Sequence, residues 1–237
     1  MNPTPHKTFV VTGGAGFVGS HLIEKLVVKY PDARIISLDN YFTGVAENHV
    51  DNDRVEYLVG NTQDINTIWA ERGLPAAAAV FHLGEYSRIW QSFEDFDQVW
   101  DSNMRGTKEV VQFCRSHACK FVYAGSSSKF GNEGLDQHLS PYSWIKAKNV
   151  EFVINFSEWF GLDYVVTYFY NVYGPRHIKK GRYATVIGIF ESLYEEGKPL
   201  TVRYPGAQTR DFISPMWRIS LTASSCALST GRATAIS

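Results

Sequence analysis

Short apolar runs alternate with stretches of helical spacing along most of the chain. Phe9-Val10-Val11 opens the pattern as a run of strand type, and residues 20–26 place apolar side chains at the spacing of an amphipathic helix. Ile35-Ile36-Ser37-Leu38-Asp39, Val55–Val59 and residues 78–83 are the next strand candidates, the last suited to a strand buried on both faces. Residues 65–72 predict a helix with Asp64 at its N-cap. Residues 96–117 carry Val99, Asn103, Met104, Thr107, Val110, Val111 and Cys114 at helical spacing. A strand at 120–124, a helix at 142–160 and a strand at 164–168 continue the alternation. Such alternation calls for an α/β fold, a doubly wound parallel sheet with helices on both faces. Ligands of such sheets sit beyond the carboxyl ends of the strands.

Between the first strand and helix lie Gly13, Gly14, Gly16 and Gly19. Glycines there let backbone approach a pyrophosphate closely, and the helix start offers the free N–H groups of Phe17 and Val18. Asp39 ends the second strand 20 residues past Gly19, where an acid accepts hydrogen bonds from an adenosine ribose. An acid there repels a 2′-phosphate, so NAD is expected rather than NADP, with Asn40 beside it. Asp64 and Ile65, at the turn after the third strand, are placed near the adenine. Leu83 and Gly84 close the fourth strand on the same edge. His82 alone reads as a packed, hydrogen-bonded histidine rather than a base.

Composition bounds the partners. With 237 residues, 44% of them hydrophobic, the chain can bury a good core as one large domain or one and a part. A net charge of −1 gives no sign of a nucleic-acid or membrane partner, and no apolar run approaches the ~18 residues that span a bilayer. Cys114, Cys119 and Cys226 are odd in number and lack metal-ligand spacing, so no metal is expected and the thiols suit a reducing cytoplasm.

The candidate chemistry is Ser126, Tyr142 and Lys146. Tyr142 and Lys146 stand four residues apart, on one face of a helix. A free tyrosine ionises near pH ~10, and a neighbouring ammonium favours the phenolate. A strand-end serine hydroxyl can hold a substrate oxygen while the phenolate takes its proton, which suits oxidation of an alcohol by a nicotinamide.

With these residues in place the chain resembles the extended short-chain dehydrogenases/reductases, specifically NAD-dependent sugar-nucleotide epimerases/dehydratases of Rossmann type. Thr12-Gly-Gly-Ala-Gly-Phe-Val-Gly-Ser-His-Leu22, Asn103-Met-Arg-Gly-Thr107, Phe169-Tyr-Asn-Val-Tyr-Gly-Pro-Arg176 and Gln208-Thr-Arg-Asp-Phe212 carry the likeness. It implies a nucleoside-diphosphate sugar as substrate, Asn103 on the cofactor side, Asn171 on the substrate's phosphate or sugar, Arg176 on the substrate, and Arg210 near the nucleoside diphosphate. It also implies a homodimer through a four-helix bundle, for which Trp100, Phe156 and Trp159 are extra apolar positions; burial within the monomer is the alternative. In this family dehydratases carry acids directly after the catalytic Ser/Thr and decarboxylases a Glu two places on. Ser127 and Ser128 stand there instead, which favours epimerisation, through a 4-keto sugar at C4. Gly84-Glu85 replaces the usual small pair after His-Leu, so Glu85 and Arg88 are expected to line the sugar side, with Glu85 pairing Arg88. A dehydrogenase or reductase that releases its cofactor, and a non-catalytic NAD-binding scaffold, are the other readings.

The resemblance divides the chain into an NAD-binding domain at 1–171, a partial sugar-nucleotide region at 172–212 and an aberrant tail at 213–237. Family members continue well beyond the Arg-Asp-Phe segment, and the tail lacks their H-V-x-D helix start. Read from the third base of each codon, residues 214–237 can yield T-H-V-E-D-I-A followed by an amphipathic helix and G-D-G-Y. A shifted frame is therefore expected, with a C-terminal substrate region left incomplete and activity impaired. The coding DNA tests this: the shifted frame should spell H-V-E-D, and a frame that cannot do so ends the reading.

Overall fold

The computed structural model describes residues 7–200; the expectations for Cys226, Arg210 and the tail lie outside the described residues. Six strands form one parallel sheet: β1 (Thr8–Thr12), β2 (Arg34–Asp39), β3 (Val55–Val59), β4 (Ala79–His82), β5 (Lys120–Ser126) and β6 (Tyr164–Phe169). Their order is β3-β2-β1-β4-β5-β6, so the chain winds outward from β1, returns to β4 beside it and winds out the other way.

The helices are α1 (Phe17–Lys29), α2 (Ile65–Glu71), α3 (Phe96–Val99), α4 (Gly106–Ser116), α5 (Pro141–Phe160) and α6 (Val186–Glu195). Val10, Ile36 and Val80 pack with Trp69 of α2, Phe113 of α4 and Val153 of α5 on one face of the sheet. Phe9, Val11, Ile35 and Phe81 pack with Leu22, Ile23 and Leu26 of α1 on the other. Successive residues of β1 thus serve opposite cores, because strand side chains alternate. Each side chain fully buried in this way contributes roughly 1.5–3 kcal/mol.

The helix expected at 96–117 is broken by a π-helical stretch, Trp100–Arg105, between α3 and α4. Periodicity does not show it, since apolar residues recur on one face through it. α5 begins one residue before the expected 142: Ser140 Oγ accepts from Ser143 N at 3.1 Å, Pro141 opens the first turn, and Gly161 ends the helix at φ 72°. Phe156 is buried in the monomer core, which settles it against the interface expectation, whereas Trp100 and Trp159 are exposed. Cys114 and Cys119 are buried free thiols. Among the described residues no helix is long and apolar enough to cross a membrane, and no His/Cys/Asp/Glu cluster could hold a metal ion.

The turn after β1 has no room for side chains. A Cβ on Gly19 would run into the Gly13 carbonyl oxygen and force the turn open. Gly19→Ala is expected to destabilise the protein by about 1–3 kcal/mol, seen as a lower urea midpoint at unchanged slope; an unmoved midpoint would contradict this packing.

Candidate active site

The outward winding reverses between β1 and β4, and the turns that leave these strands meet there. A Cβ on Gly13 (φ 72°) would lie 2.8 Å from Gly84 N, so the two turns touch backbone to backbone. Thr12 joins them: its Oγ1 accepts from Leu83 N at 3.1 Å and Gly84 N at 3.0 Å. Beyond the turn, Gly16 caps α1 without a side-chain bond, which leaves the Phe17 and Val18 N–H groups without intrahelical acceptors. A cradle of bare backbone at a positive helix end fits a pyrophosphate.

The expected adenosine side gathers on the same edge. The Asp39 carboxylate accepts from Ala15 N at 2.9 Å and Tyr41 N at 2.8 Å, which fastens the glycine turn to the end of β2. Burial raises its pKa, and these two N–H bonds work against the rise. Each carboxylate oxygen has a second lone pair for a ribose hydroxyl. Asn40 donates to Asn61 Oδ1 at 3.0 Å, and Asn61 reaches Asp64 at 3.5 Å. Asp64 occupies the N-cap of α2 without a capping bond from its side chain, while the Ile65 side chain is buried in the core.

On the other side of the reversal, Ser126 ends β5 and Tyr142 and Lys146 lie on the first turns of α5. Lys146 Nζ donates to the Ala124 carbonyl, two residues before Ser126, and this draws α5 onto the end of β5. Ser126 Oγ lies 2.9 Å from Ser128 Oγ and caps the short turn at Ser127–Lys129, so Ser127 and Ser128 follow it directly at the strand end. The Tyr142 phenol acts electrostatically on both Tyr123 and Arg88, which places it among them.

Glu85 corrects the sequence reading. Its carboxylate does not pair with Arg88 but with Lys146, and both side chains are buried, 4% and 6% exposed. Thr107 Oγ1 at 2.9 Å, Tyr123 OH at 3.1 Å and Asn149 Nδ2 at 3.1 Å also donate to it. A buried ammonium one strand away outcompetes a guanidinium three residues on, because the low dielectric strengthens the pair and four donors offset its dehydration. Arg88 instead donates through Nε and Nη2 to the Tyr183 carbonyl, and its burial lowers its pKa.

The same network reaches the glycine turn. His82 Nε2 meets Thr107 Oγ1 at 3.0 Å and Nδ1 meets Thr12 Oγ1 at 2.8 Å. Thr107 gives its hydrogen to Glu85, so the assignment that satisfies every partner puts the His82 proton on Nε2 and has Thr12 donate to Nδ1. Complete burial, aided by Lys146 and opposed by Glu85, pushes the His82 pKa down to about 4, so the ring is neutral. Asn103 sits in the π-helical stretch and is wholly buried; its amide accepts from Tyr86 N at 2.7 Å and donates to Tyr86 O at 2.9 Å. Its side chain fastens the Gly84–Arg88 loop. Sequence reasoning missed Thr12, Tyr123 and Asn149 as members of this network. Asn149 stands one turn from Lys146 on the same helix face, which is the signal that could have found it.

The sugar-side expectations divide. Arg176 is tied to α1, with Nη1 3.3 Å from Ser20 Oγ and Nη2 2.5 Å from Glu24 Oε1. Asn171 follows β6 and is exposed. The sheet edge therefore collects the glycine turn, Asp39, Ser126, Tyr142 and Lys146, and leaves Arg176 holding the segment after β6 to the first helix.

Residues 9–215 match the family model described as NAD dependent epimerase/dehydratase family. A protein of Methanocaldococcus jannaschii assigned as a UDP-glucose 4-epimerase is 30% identical over 214 residues, 86% of this chain and 68% of its own length. The UDP-N-acetyl-alpha-D-glucosaminuronate decarboxylase of Bacillus cytotoxicus is 29% identical over 87% of this chain and 67% of its own. Among solved structures, the UDP-N-acetylglucosamine 4-epimerase of Methanobrevibacter ruminantium M1, in complex with UDP-N-acetylmuramic acid, superposes with a TM-score of 0.83. It is 25% identical, over 99% of this chain and 77% of that one.

The depressed His82 pKa makes stability depend on pH. Between about 4 and 6.5 the unfolded chain binds a proton that the folded chain refuses, so stability falls as pH drops through that window and levels off below it. The loss should reach on the order of 3 kcal/mol, and His82→Gln should remove that part of the slope in urea unfolding at pH 7, 6 and 5. Equal slopes in the two proteins would count against a neutral buried imidazole.

Proposed function

The chain belongs to the NAD dependent epimerase/dehydratase family, and on that premise we propose that it inverts the C4 hydroxyl of a nucleoside-diphosphate sugar through a 4-keto intermediate. NAD is the cofactor of this family, and the bare glycine turn, the uncapped start of α1 and the Asp39 carboxylate would hold its pyrophosphate and adenosine ribose. When bound, it would supply a hydride acceptor for oxidation of the sugar alcohol and a hydride donor for reduction of the resulting ketone.

The remaining work falls to the chain's own side chains. Ser126 donates to the sugar oxygen at the end of β5. Tyr142, as phenolate, takes the hydroxyl proton while the alcohol is oxidised and gives it back on reduction, so no net proton or electron is consumed. Lys146 stabilises the phenolate from the next turn of α5. The observation that carries the reading is the junction of α5 with the end of β5, where the Lys146 bond to Ala124 O brings the phenol-bearing turn beside Ser126. Ser127 and Ser128 follow it and supply no acid to expel water or assist decarboxylation, which favours epimerisation over the reactions of other relatives. The domain division at 171 and 212 and the cytoplasmic location are part of the same proposal. So is a homodimer, in which the exposed Phe93, Phe96, Trp100 and Trp144 would meet a second copy.

NAD-loaded protein incubated with UDP-glucose and UDP-N-acetylglucosamine, followed by proton NMR of the anomeric signals, tests the reaction. The C4 epimers should grow in without stoichiometric NADH release, and Tyr142→Phe should cut the rate by about 10²–10⁴-fold. Release of one NADH per sugar, or no interconversion in a panel of nucleoside-diphosphate sugars, would refute epimerisation by this chain.

A further inference from the structure

The carboxylate behind the catalytic lysine has a role that the reaction scheme does not use. Lys146 is almost completely buried, and a buried lysine without a partner loses its charge near neutral pH. Two of its three N–H groups are committed, one to Glu85 Oε2 and one to Ala124 O, and its Nζ lies 4.6 Å from the centre of the Tyr123 ring. Ala124 O is a neutral acceptor, so Glu85 carries the compensating charge. Glu85 is itself locked: with Thr107, Tyr123, Asn149 and Lys146 it has four donors from three different elements.

We propose that Glu85 is a positioning residue for the reaction, whose buried negative charge keeps the Lys146 ammonium charged and in place and sets the pH at which Tyr142 yields its phenolic proton. This rests on Tyr142 being the base. The ammonium draws the Tyr142 proton off only while it is charged, and the carboxylate behind it keeps it so. The site therefore holds a balanced pair rather than a bare cation behind the phenol. Removing the carboxylate leaves Lys146 with a neutral acceptor alone, so the buried amine surrenders its charge and Tyr142 loses the ammonium that draws its proton off.

The groups packed around the pair and the phenol do not change charge with them. His82 on β4 feels both Glu85 and Lys146 and is neutral above about pH 4. Tyr123 on β5 is raised well above the usual phenol range, by burial first and then by Glu85, so it stays protonated as a donor. Arg88, which acts on Tyr142 from the other side, keeps its charge throughout. Thr107 and Asn149 do not titrate. Tyr86 and Tyr183, which pack in one cluster with Tyr142, are raised above the usual phenol range by burial and by Asp95 and stay protonated, so Glu85, Lys146 and Tyr142 are left as the groups whose charges change the outcome.

The test reads the phenol itself and needs no sugar turnover, so its result is separate from that of the epimerisation assay. The NAD-loaded full chain is titrated by ultraviolet absorbance in the phenolate band, and the same protein carrying Tyr142→Phe is subtracted. Glu85→Gln should move the Tyr142 titration about one unit toward higher pH, while Glu85→Asp, which keeps the charge, should leave it in place. An unmoved titration in folded E85Q overturns the proposal, as does an equal shift in E85D. Should E85Q fail to fold, Lys146→Met is compared with the double variant E85Q/K146M, in which no buried charge is left unpaired. Because Glu85 acts through the lysine, the two variants should ionise Tyr142 at equal pH, above that of the wild type, and a titration at the wild-type pH or one that differs between them overturns the proposal.

Discussion

Two strand ends, β1 and β4, must come together with nothing but backbone between them. Gly13 and Gly84 permit that contact, and Thr12 bonds across it to Leu83 and Gly84. The rest of the site is referred to this junction. From Thr12 a buried chain of hydrogen bonds runs through His82 and Thr107 to Glu85, and from Glu85 to Lys146 on α5. The glycine turn and α5 are thus two ends of one buried polar network inside an apolar sheet, of whose side-chain atoms Asn149 Oδ1 alone lacks a partner among the described residues. In such an interior a half-satisfied network costs more than none, so the geometry is narrowly specified.

The electrostatics of that network follow from burial. An ammonium beside a phenol is useful only while it is charged, and the interior works against charge. The chain answers with a carboxylate from the loop after β4 rather than with water. A neutral His82 and a protonated Tyr123 flank the pair without adding charge of their own. A buried ion pair of this kind is weak evidence for stability, since desolvation offsets its attraction. Its use here is to hold one charge in a fixed place.

Positioning is shared by residues of the family motifs. Asn103 lies in the π-helical stretch, where the widened turn is a common mark of functional helices. It spends its amide on both backbone groups of Tyr86 and so fixes the loop that carries Glu85. Arg176 spends its guanidinium on Glu24 and Ser20 of α1, which ties the segment after β6 to the helix behind the glycine turn. A charged residue near a phosphate site in sequence can thus serve the walls of the site.

Much of the architecture was legible without coordinates, because it is written in short-range periodicity. The parallel α/β sheet follows from alternating apolar runs and helical spacings, the body of α5 from helical spacing over residues 142–160, and the glycine turn from four glycines between a strand and a helix. Ser126, Tyr142 and Lys146 could be brought together because strand ends share an edge and residues four apart share a helix face. The partner of Glu85 could not be read this way. Arg88 is three residues away in sequence and Lys146 is 61, yet the fold puts the lysine against the carboxylate and turns the arginine to Tyr183. Sequence by itself determined which elements form and which edge carries the chemistry, since those depend on neighbours along the chain. Only the tertiary structure decided how the buried charges pair, because desolvation makes that choice depend on what surrounds each group in space.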